Sequence, residues 1–546
     1  MPHPRPNLEE LCAAPSDLLV VGGGINGAGI AREAAARGLT VTLVEASDWA
    51  FGASSRSTKL LHGGLRYLEH GDLHLVGEAL RERRLLTEVL APHLTRPLPF
   101  LVPVYAGDQR PAWMIRCGMW LYDLLAIKGH GLIRWHRWLN HADALEAAPW
   151  LAAEGLKGAA EYWDCQMDDA RLTLENVLDA GRLGVRTLNY CSLKSAHRLS
   201  EGDVRVRLRD EEAGTESEAR TRLLVLATGA WTDRSFEALG LGAGPRVRPT
   251  KGIHLVTRRL LDQHALLVPA RSDGRIFFVI PWELEGRPAS LIGTTDTDFA
   301  GDPSHLRAEE EEIEYLLREA GRVLPQAHLK RSDVWSTFAG LRPLSAPPRE
   351  RAGNPGSVSR EHTFWEEPGV LAVTGGKYTT YRSLGQSLVE RAGLRLGRPL
   401  KPSQSLQPLP GAPRSPAERG EAALSHLMQE FGLEAPAAAL LMQHYGRQAR
   451  DVAALTLEDP ELKKPLAPGS GCPAILAMAA WAARHEQVVH LDDFYLRRTR
   501  LGLILPPEHR GVDRVAAVMG QALWWSRDRE SEELERLRKV IAGEYR

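Results

Sequence analysis

Three glycines spaced G-x-G-x-x-G, Gly22, Gly24 and Gly27, separate an apolar run at 18–21 from a small-residue stretch. A second apolar run then ends in Glu45. Each part has a task if a dinucleotide sits there. Gly22 allows a tight turn out of a first strand, Gly24 lets backbone approach a pyrophosphate, and Gly27 lets helix and strand pack closely. The helix that follows offers N–H groups and the positive end of its dipole to the phosphates. Glu45, about 20 residues further on, suits the two hydroxyls of an adenosine ribose and repels a 2′-phosphate. NADP is thereby disfavoured, while FAD and NAD both fit.

Four further runs carry groups able to do chemistry. Residues 54–67 hold four hydroxyls, several cations, an imidazole and Gly63-Gly64; hydroxyls and backbone N–H groups can hold phosphate and flavin oxygens, and the alternative is a solvated polar loop. His254 lies in the strand-like run 249–256. It is either a satisfied core histidine or, facing a pocket, a near-neutral base for a hydroxyl proton. Arg342 sits in FAGLRPL at 338–344 with Arg360 shortly after; a buried arginine needs an anion or a structural ion-pair partner. Residues 373–382 read as strand, Gly-Gly turn and helix start, a turn that can present N–H groups to an oxygen-rich ring edge. They lack the G-x-x-x-x-G-K-[ST] pattern of a nucleoside-triphosphate loop.

The elements that must position these groups read as follows. Residues 12–90 give β-α-β, a loop and a helix over 72–90. A helix over 168–184 stops at Gly184. Residues 204–208 alternate like a half-buried strand, 210–219 form a turn, and 223–226 form a buried strand. Short strands at 252–257, 275–280 and 290–294 predict an antiparallel sheet over a pocket. Residues 401–419, rich in Pro, Ser and Gly, read as a linker, and 422–546 as a separate helical domain.

Bulk properties narrow the class. The length of 546 residues predicts about two to four domains. A net charge of −1 gives no basic field for nucleic acid. Five scattered cysteines without C-x-x-C signal neither a disulfide framework nor a metal site, and suit a reducing cytoplasm. No signal peptide is read at the N-terminus, and no run reaches the roughly 18–20 apolar residues that span a bilayer. Residues 110–138, however, alternate Arg with Trp. That composition suits the headgroup layer of a membrane surface, or equally a Trp-rich packed helix.

Taken together, these runs closely resemble the FAD-dependent, aerobic-type glycerol-3-phosphate dehydrogenases, members of the D-amino-acid-oxidase-like flavoenzymes. The resemblance spans nearly the whole chain. It rests on GGGINGAGIA at 22–31, KLLHGGLRYLE at 59–69, RPAWMIR at 110–116, DDARL at 168–172 and FVIPW at 278–282. IGTTD at 292–296, GLRPL at 340–344, GGKYTTYR at 375–382 and LDDFYLRRTRLG at 491–502 complete it. It implies an α/β architecture: a Rossmann-like FAD-binding domain (12–92, 151–240 and 330–400) and an antiparallel-sheet substrate domain (93–150 and 241–329). The linker at 401–419 and a C-terminal α-helical domain at 420–546 follow.

The resemblance further implies oxidation of sn-glycerol 3-phosphate at C2 to dihydroxyacetone phosphate. The hydride goes to flavin N5, and the electrons pass on to membrane quinone at the inner face of the cell membrane. By position, Arg66, Tyr67, His254, Arg342, Arg360 and Lys377 surround the substrate. Gly22, Gly24, Gly27, Glu45, Ser54, Ser55, Lys59, His62, Gly375, Gly376 and Thr379 bind the flavin. In the roles that fit these types, His254 is the base, Arg342 lowers the hydroxyl pKa and orients the substrate, Arg360 and Arg66 grip phosphate, and Lys377 stands at the flavin edge. Two positions depart from expectation. Arg56 falls where a small residue is expected and must turn away from the flavin, and Tyr378 replaces an aliphatic residue. The readings left open are a glycerol-3-phosphate oxidase using O2, an amino-acid or amine oxidase of the same fold, and a non-catalytic flavin-bound sensor. Docking on the catalytic part and a homodimer contact are both open to the C-terminal domain.

Overall fold

In a computed structural model, which describes residues 5–65, 72–108, 110–126, 134–200, 202–242, 244–346 and 362–546, the run before Gly22 becomes the strand Ser16–Val21, buried along its whole length. Burial on both faces is what a continuous apolar run in a parallel sheet should give. The strands Val370–Thr374, Glu216–Leu226, Ser16–Val21, Val41–Val44 and Arg186–Leu188 lie side by side in that order, all parallel. Strand Thr363–Glu367 adds an antiparallel edge, and the strands Val204–Asp210 and Cys191–Arg198 extend the sheet as antiparallel ribbons. The helices Ile25–Ala36, Asp169–Arg182 and Tyr381–Leu396 pack together beside it. Helix Asp169–Arg182 starts at Asp168, whose side chain accepts from the Arg171 N–H, and Gly184 follows its end at φ +92°.

A second sheet has ten strands among the described residues. Its strands are antiparallel except where Ala265–Pro269 runs parallel to Thr95–Tyr105. The boundaries expected at 150/151 and 329/330 do not follow the strand pairing. Strand Leu156–Met167 pairs with Thr95–Tyr105, and strand Val334–Ser345 pairs with Val247–Arg258, so both belong to the second sheet. Pairing is set between distant segments, which local composition does not record. The strand Glu216–Leu226 also begins inside the span expected to be a turn.

Segment 401–419 forms no strand and only one 3-10 turn, Pro416–Glu418, yet it is no free tether. Arg32 donates to the carbonyls of Gln407 (2.8 Å) and Ser405 (3.5 Å), the Leu409 N–H donates to Leu90 O (2.9 Å), and Leu409 and Ala412 are buried. Beyond it the chain is helical and docks on the rest of the same chain. Its apolar residues, from Leu427 to Tyr545, share one core with Phe100, Tyr162, Ile280 and Leu291 of the second sheet.

Candidate active site

The strand leaving the first sheet turns at Gly22, whose φ of +111° is costly for any residue with a Cβ. A Cβ at Gly27 would lie 1.8 Å from Gly22 O, so strand end and helix meet at the closest possible approach. Gly24 precedes helix Ile25–Ala36 and offers no side-chain cap. Ser54 reaches in from the next loop, its Oγ accepting from the Ile25 N–H at 2.9 Å. First-turn N–H groups have no acceptor within a helix, so this donor set suits a pyrophosphate. Glu45 closes the far side: its carboxylate accepts from the N–H groups of Gly23 (2.6 Å) and Ser47 (2.9 Å). Burial raises its carboxyl above the ordinary range, and those N–H groups oppose the rise.

The loop after Glu45 crosses to the second sheet, entering it at strand Leu60–Leu61. Its last residues lie against the strands that carry His254 and Arg342. The pairing partners His254/Phe338, Gly252/Gly340 and Thr250/Arg342 follow one another at alternate positions, so all six face the same side. The Gly252/Gly340 pair lets neighbouring groups approach the backbone closely there. A Cβ at Gly252 would lie 2.8 Å from Arg342 Nη2, and one at Gly340 would lie 2.6 Å from Arg56 O.

His254 is buried and stacked on Phe338, with ring centroids 4.8 Å apart. Its Nε2 is 2.9 Å from Thr58 Oγ1, while its buried Nδ1 has no hydrogen-bond partner among the described residues. Burial, and then the charges of Arg342 and Lys59, hold its pKa well below the ordinary value, so the ring is neutral. Arg342 is fixed on several sides. It donates to Asp296 Oδ1 (2.9 Å), Thr294 Oγ1 (3.1 Å) and Thr295 O (3.3 Å), and its side chain stays 23% exposed. The IGTTD run is thus the partner that a half-buried guanidinium requires.

Gly375 and Gly376 both have positive φ (72° and 86°) after strand Val370–Thr374, and the Gly375 N–H donates to Pro343 O at 2.9 Å. This bond ties the turn to the strand of Arg342. Lys377 is buried at the start of the 3-10 turn Tyr378–Thr380, in which Thr379 is buried too. His62 lies half-buried just past strand Leu60–Leu61, and Ser55 offers its carbonyl to Lys59. Arg66, Tyr67 and Arg360 lie outside the described residues.

Lys59, expected among the flavin-binding residues, makes its side-chain contacts within the protein. The Lys59 ammonium points to Asp169, 2.8 Å from both carboxylate oxygens, and to Ser55 O at 2.5 Å. Three acceptors take its three N–H groups, so Lys59 pins the loop to the buried start of helix Asp169–Arg182. Burial lowers its pKa against the pull of Asp169. The two departures also find physical reasons. Arg56 turns outward to Glu544 Oε2 (2.6 Å), and the Tyr378 hydroxyl lies 2.8 Å from Thr173 Oγ1 and donates to Asp169 O. Thr58 and Asp296, in contact with His254 and Arg342, are not singled out by the sequence. The only signals were their places inside the hydroxyl-rich and IGTTD runs.

A family model described as "FAD dependent oxidoreductase" matches residues 17–382, and one described as "C-terminal domain of alpha-glycerophosphate oxidase" matches residues 405–530. The chain is 36% identical over 522 residues to a glycerol-3-phosphate dehydrogenase of Synechocystis sp., covering 91% of each chain. It is 38% identical over 521 residues to glycerol-3-phosphate dehydrogenase 2 of Mycobacterium tuberculosis, covering 93% of this chain and 85% of that one. The crystal structure of the Bacillus halodurans glycerol-3-phosphate dehydrogenase complexed with FAD superposes with a TM-score of 0.79 at 28% identity. It covers 98% of this chain and 96% of its own.

Proposed function

We propose that this chain, which belongs to the FAD-dependent glycerol-3-phosphate dehydrogenases, oxidises the C2 hydroxyl of sn-glycerol 3-phosphate to the ketone of dihydroxyacetone phosphate and delivers the electrons to a membrane quinone. The observation that carries the reading is the shared strand face on which a neutral buried imidazole and a fixed guanidinium stand beside the dinucleotide loop.

Bound FAD supplies the acceptor for the hydride from C2. Gly22, Gly24, Gly27, Glu45 and Ser54 would hold its adenosine and pyrophosphate, and the loop 54–62 and the turn 375–379 would hold its flavin. The chain's own residues manage the proton and the charge. In the tautomer whose Nε2–H is given to Thr58 Oγ1, the Nδ1 lone pair of His254 is the base. As the hydride leaves, the hydroxyl turns into a protonated carbonyl and becomes strongly acidic, so a weakly basic imidazole suffices. Arg342, held by Asp296 and Thr294, lies ready to stabilise the oxygen that loses its proton, with no reorganisation at that moment. Lys377 would place positive charge at the cofactor's ring edge, and Arg66, Arg360 and Tyr67, which lie outside the described residues, would bind the substrate with its phosphate.

Access to quinone requires a membrane surface. No helix among the described residues is long and apolar enough to cross a bilayer. Helix Ala112–Ala126 buries Met119, Tyr122, Asp123 and Ala126 but exposes Trp113 (67%), Trp120 (64%) and Leu124 (61%) on one face. Arg116 is exposed beside them, its guanidinium 4.4 Å from the Trp138 ring centroid. Indole and guanidinium side chains each have one wet and one dry side. This face rests in the headgroup layer on the cytoplasmic side of the cell membrane.

The acceptor is tested with purified protein. Reduction of a quinone analogue in step with substrate loss, without peroxide, is the expected result. Peroxide formed in step with substrate loss in air, with no other acceptor, would establish an oxidase instead.

A further inference from the structure

The motif LDDFYLRRTRLG at 491–502 has no part in the chemistry above, yet its arginines end on the cofactor loop. Asp48, three residues after Glu45, is fully buried. Its carboxylate accepts from Arg497 Nε (2.6 Å), from Arg498 Nη1 (2.6 Å) and Nη2 (2.8 Å), and from Asn189 Nδ2 (3.2 Å). The next residue, Trp49, donates from Nε1 to Gln487 Oε1 at 3.1 Å. Its ring lies so close under the glycine turn that a Cβ at Gly23 would be 2.3 Å from it. Arg56 pairs with Glu544, and Arg500 pairs with Asp168, the neighbour of the Asp169 that holds Lys59. The loop between Glu45 and Lys59 is therefore held by C-terminal residues at Asp48, Trp49 and Arg56, and at Lys59 through Asp169, whose neighbour Asp168 is paired with Arg500. Between these holds, Ser54 accepts from the first N–H of the helix that follows the glycine turn.

Buried ion pairs add little net stability over apolar packing, because desolvation offsets their attraction, but they fix geometry. We infer that the C-terminal domain is a buttress for the cofactor loop, with Arg497, Arg498, Arg500 and Glu544 as positioning residues for FAD. The inference rests on FAD being the cofactor and deepens that reading. It separates retention of FAD from the chemistry, since none of these residues touches the reacting atoms.

The full-length apoprotein of each variant is titrated with FAD, following flavin fluorescence, and its thermal unfolding is recorded without FAD. Arg498→Met is expected to weaken FAD binding about tenfold or more, and Glu544→Gln several-fold. At saturating FAD, kcat stays within about twofold of the unsubstituted chain. Glu212→Gln serves as the comparison: it removes the charge from the contact of Glu212 with His490 and Arg529 (2.9 and 3.1 Å), which joins the same two parts of the chain away from the loop. It should leave FAD affinity unchanged. Equal affinity in all variants, or the same loss in Glu212→Gln, overturns the inference. If Arg498→Met fails to fold, Glu544→Gln, at the half-buried edge of the contact, decides alone. An unsubstituted chain that takes up no FAD overturns the cofactor reading and this inference with it.

Discussion

Replacing His254 by Gln removes the base while keeping a polar side chain within reach of Thr58. A positioned general base contributes about 10²–10⁴ in rate, which corresponds to about 2.7–5.4 kcal/mol of barrier. The structure points to the full range. The Nδ1 atom is buried with no partner among the described residues to take over the proton, and the strand face around it carries Thr250, two glycines, Phe338 and Arg342. The assay is anaerobic stopped-flow bleaching of the flavin at saturating sn-glycerol 3-phosphate. The buried imidazole also has a stability signature. Its folded pKa is lowered by burial and by Arg342 and Lys59, so below the unfolded value of about 6.5 the unfolded chain binds a proton that the folded one refuses. This contribution is therefore complete above pH 6.5. It is lost at about 1.4 kcal/mol per pH unit as the pH falls towards the folded pKa. The Gln variant lacks that titration, so its melting temperature should approach that of the unsubstituted chain in acid. A variant that bleaches within tenfold of the parent rate refutes the role of His254. So does a parent rate that already falls with an apparent pKa of 6.5 or higher.

Further outcomes follow from other contacts. Asp296→Ala removes the 2.9 Å partner of Arg342 and should raise KM about tenfold while leaving the FAD content unchanged, as read by steady-state kinetics and absorbance. Lys59→Met leaves Asp169 buried without its ammonium and should cost about 3–5 kcal/mol in denaturant unfolding. His490 is bonded to Glu212 and Glu533, with Arg529, Asp493 and Arg536 close by, and its pKa is raised to about 9 against the opposing effect of burial. Its contribution, on the order of 3 kcal/mol, is complete below pH 6.5 and is lost as pH rises towards 9, so thermal melts across that window should fall in the parent but not in His490→Leu. Trp113→Ala with Trp120→Ala should abolish co-sedimentation with anionic phospholipid vesicles while leaving dye-linked activity intact.

The parts of the fold legible in the sequence are those set by local spacing. The glycine fingerprint, the helix over 168–184 with Gly184 as its stop, and the alternation of 204–208 each depend on residues a few positions apart. The place of His254 in an apolar strand was legible for the same reason. Whether it faced core or pocket was not, because that depends on the strands bearing Phe338 and Gly293. Long-range charge pairs were equally hidden. Lys59 and Arg56 both read as cofactor-loop cations, and only their partners, Asp169 and Glu544, show that both brace the loop. Segment 401–419 has a linker's composition, but its backbone is held by Arg32 and Leu90. For strands 156–167 and 334–345, pairing across the molecule decides membership of a sheet, which local composition does not record.

The most direct test of the account is the visible spectrum of the purified protein during anaerobic addition of sn-glycerol 3-phosphate. An oxidised flavin band that bleaches in proportion to the substrate added is the expected result. A protein that is colourless and takes up no FAD, or a bound flavin that stays oxidised with this substrate, would contradict it.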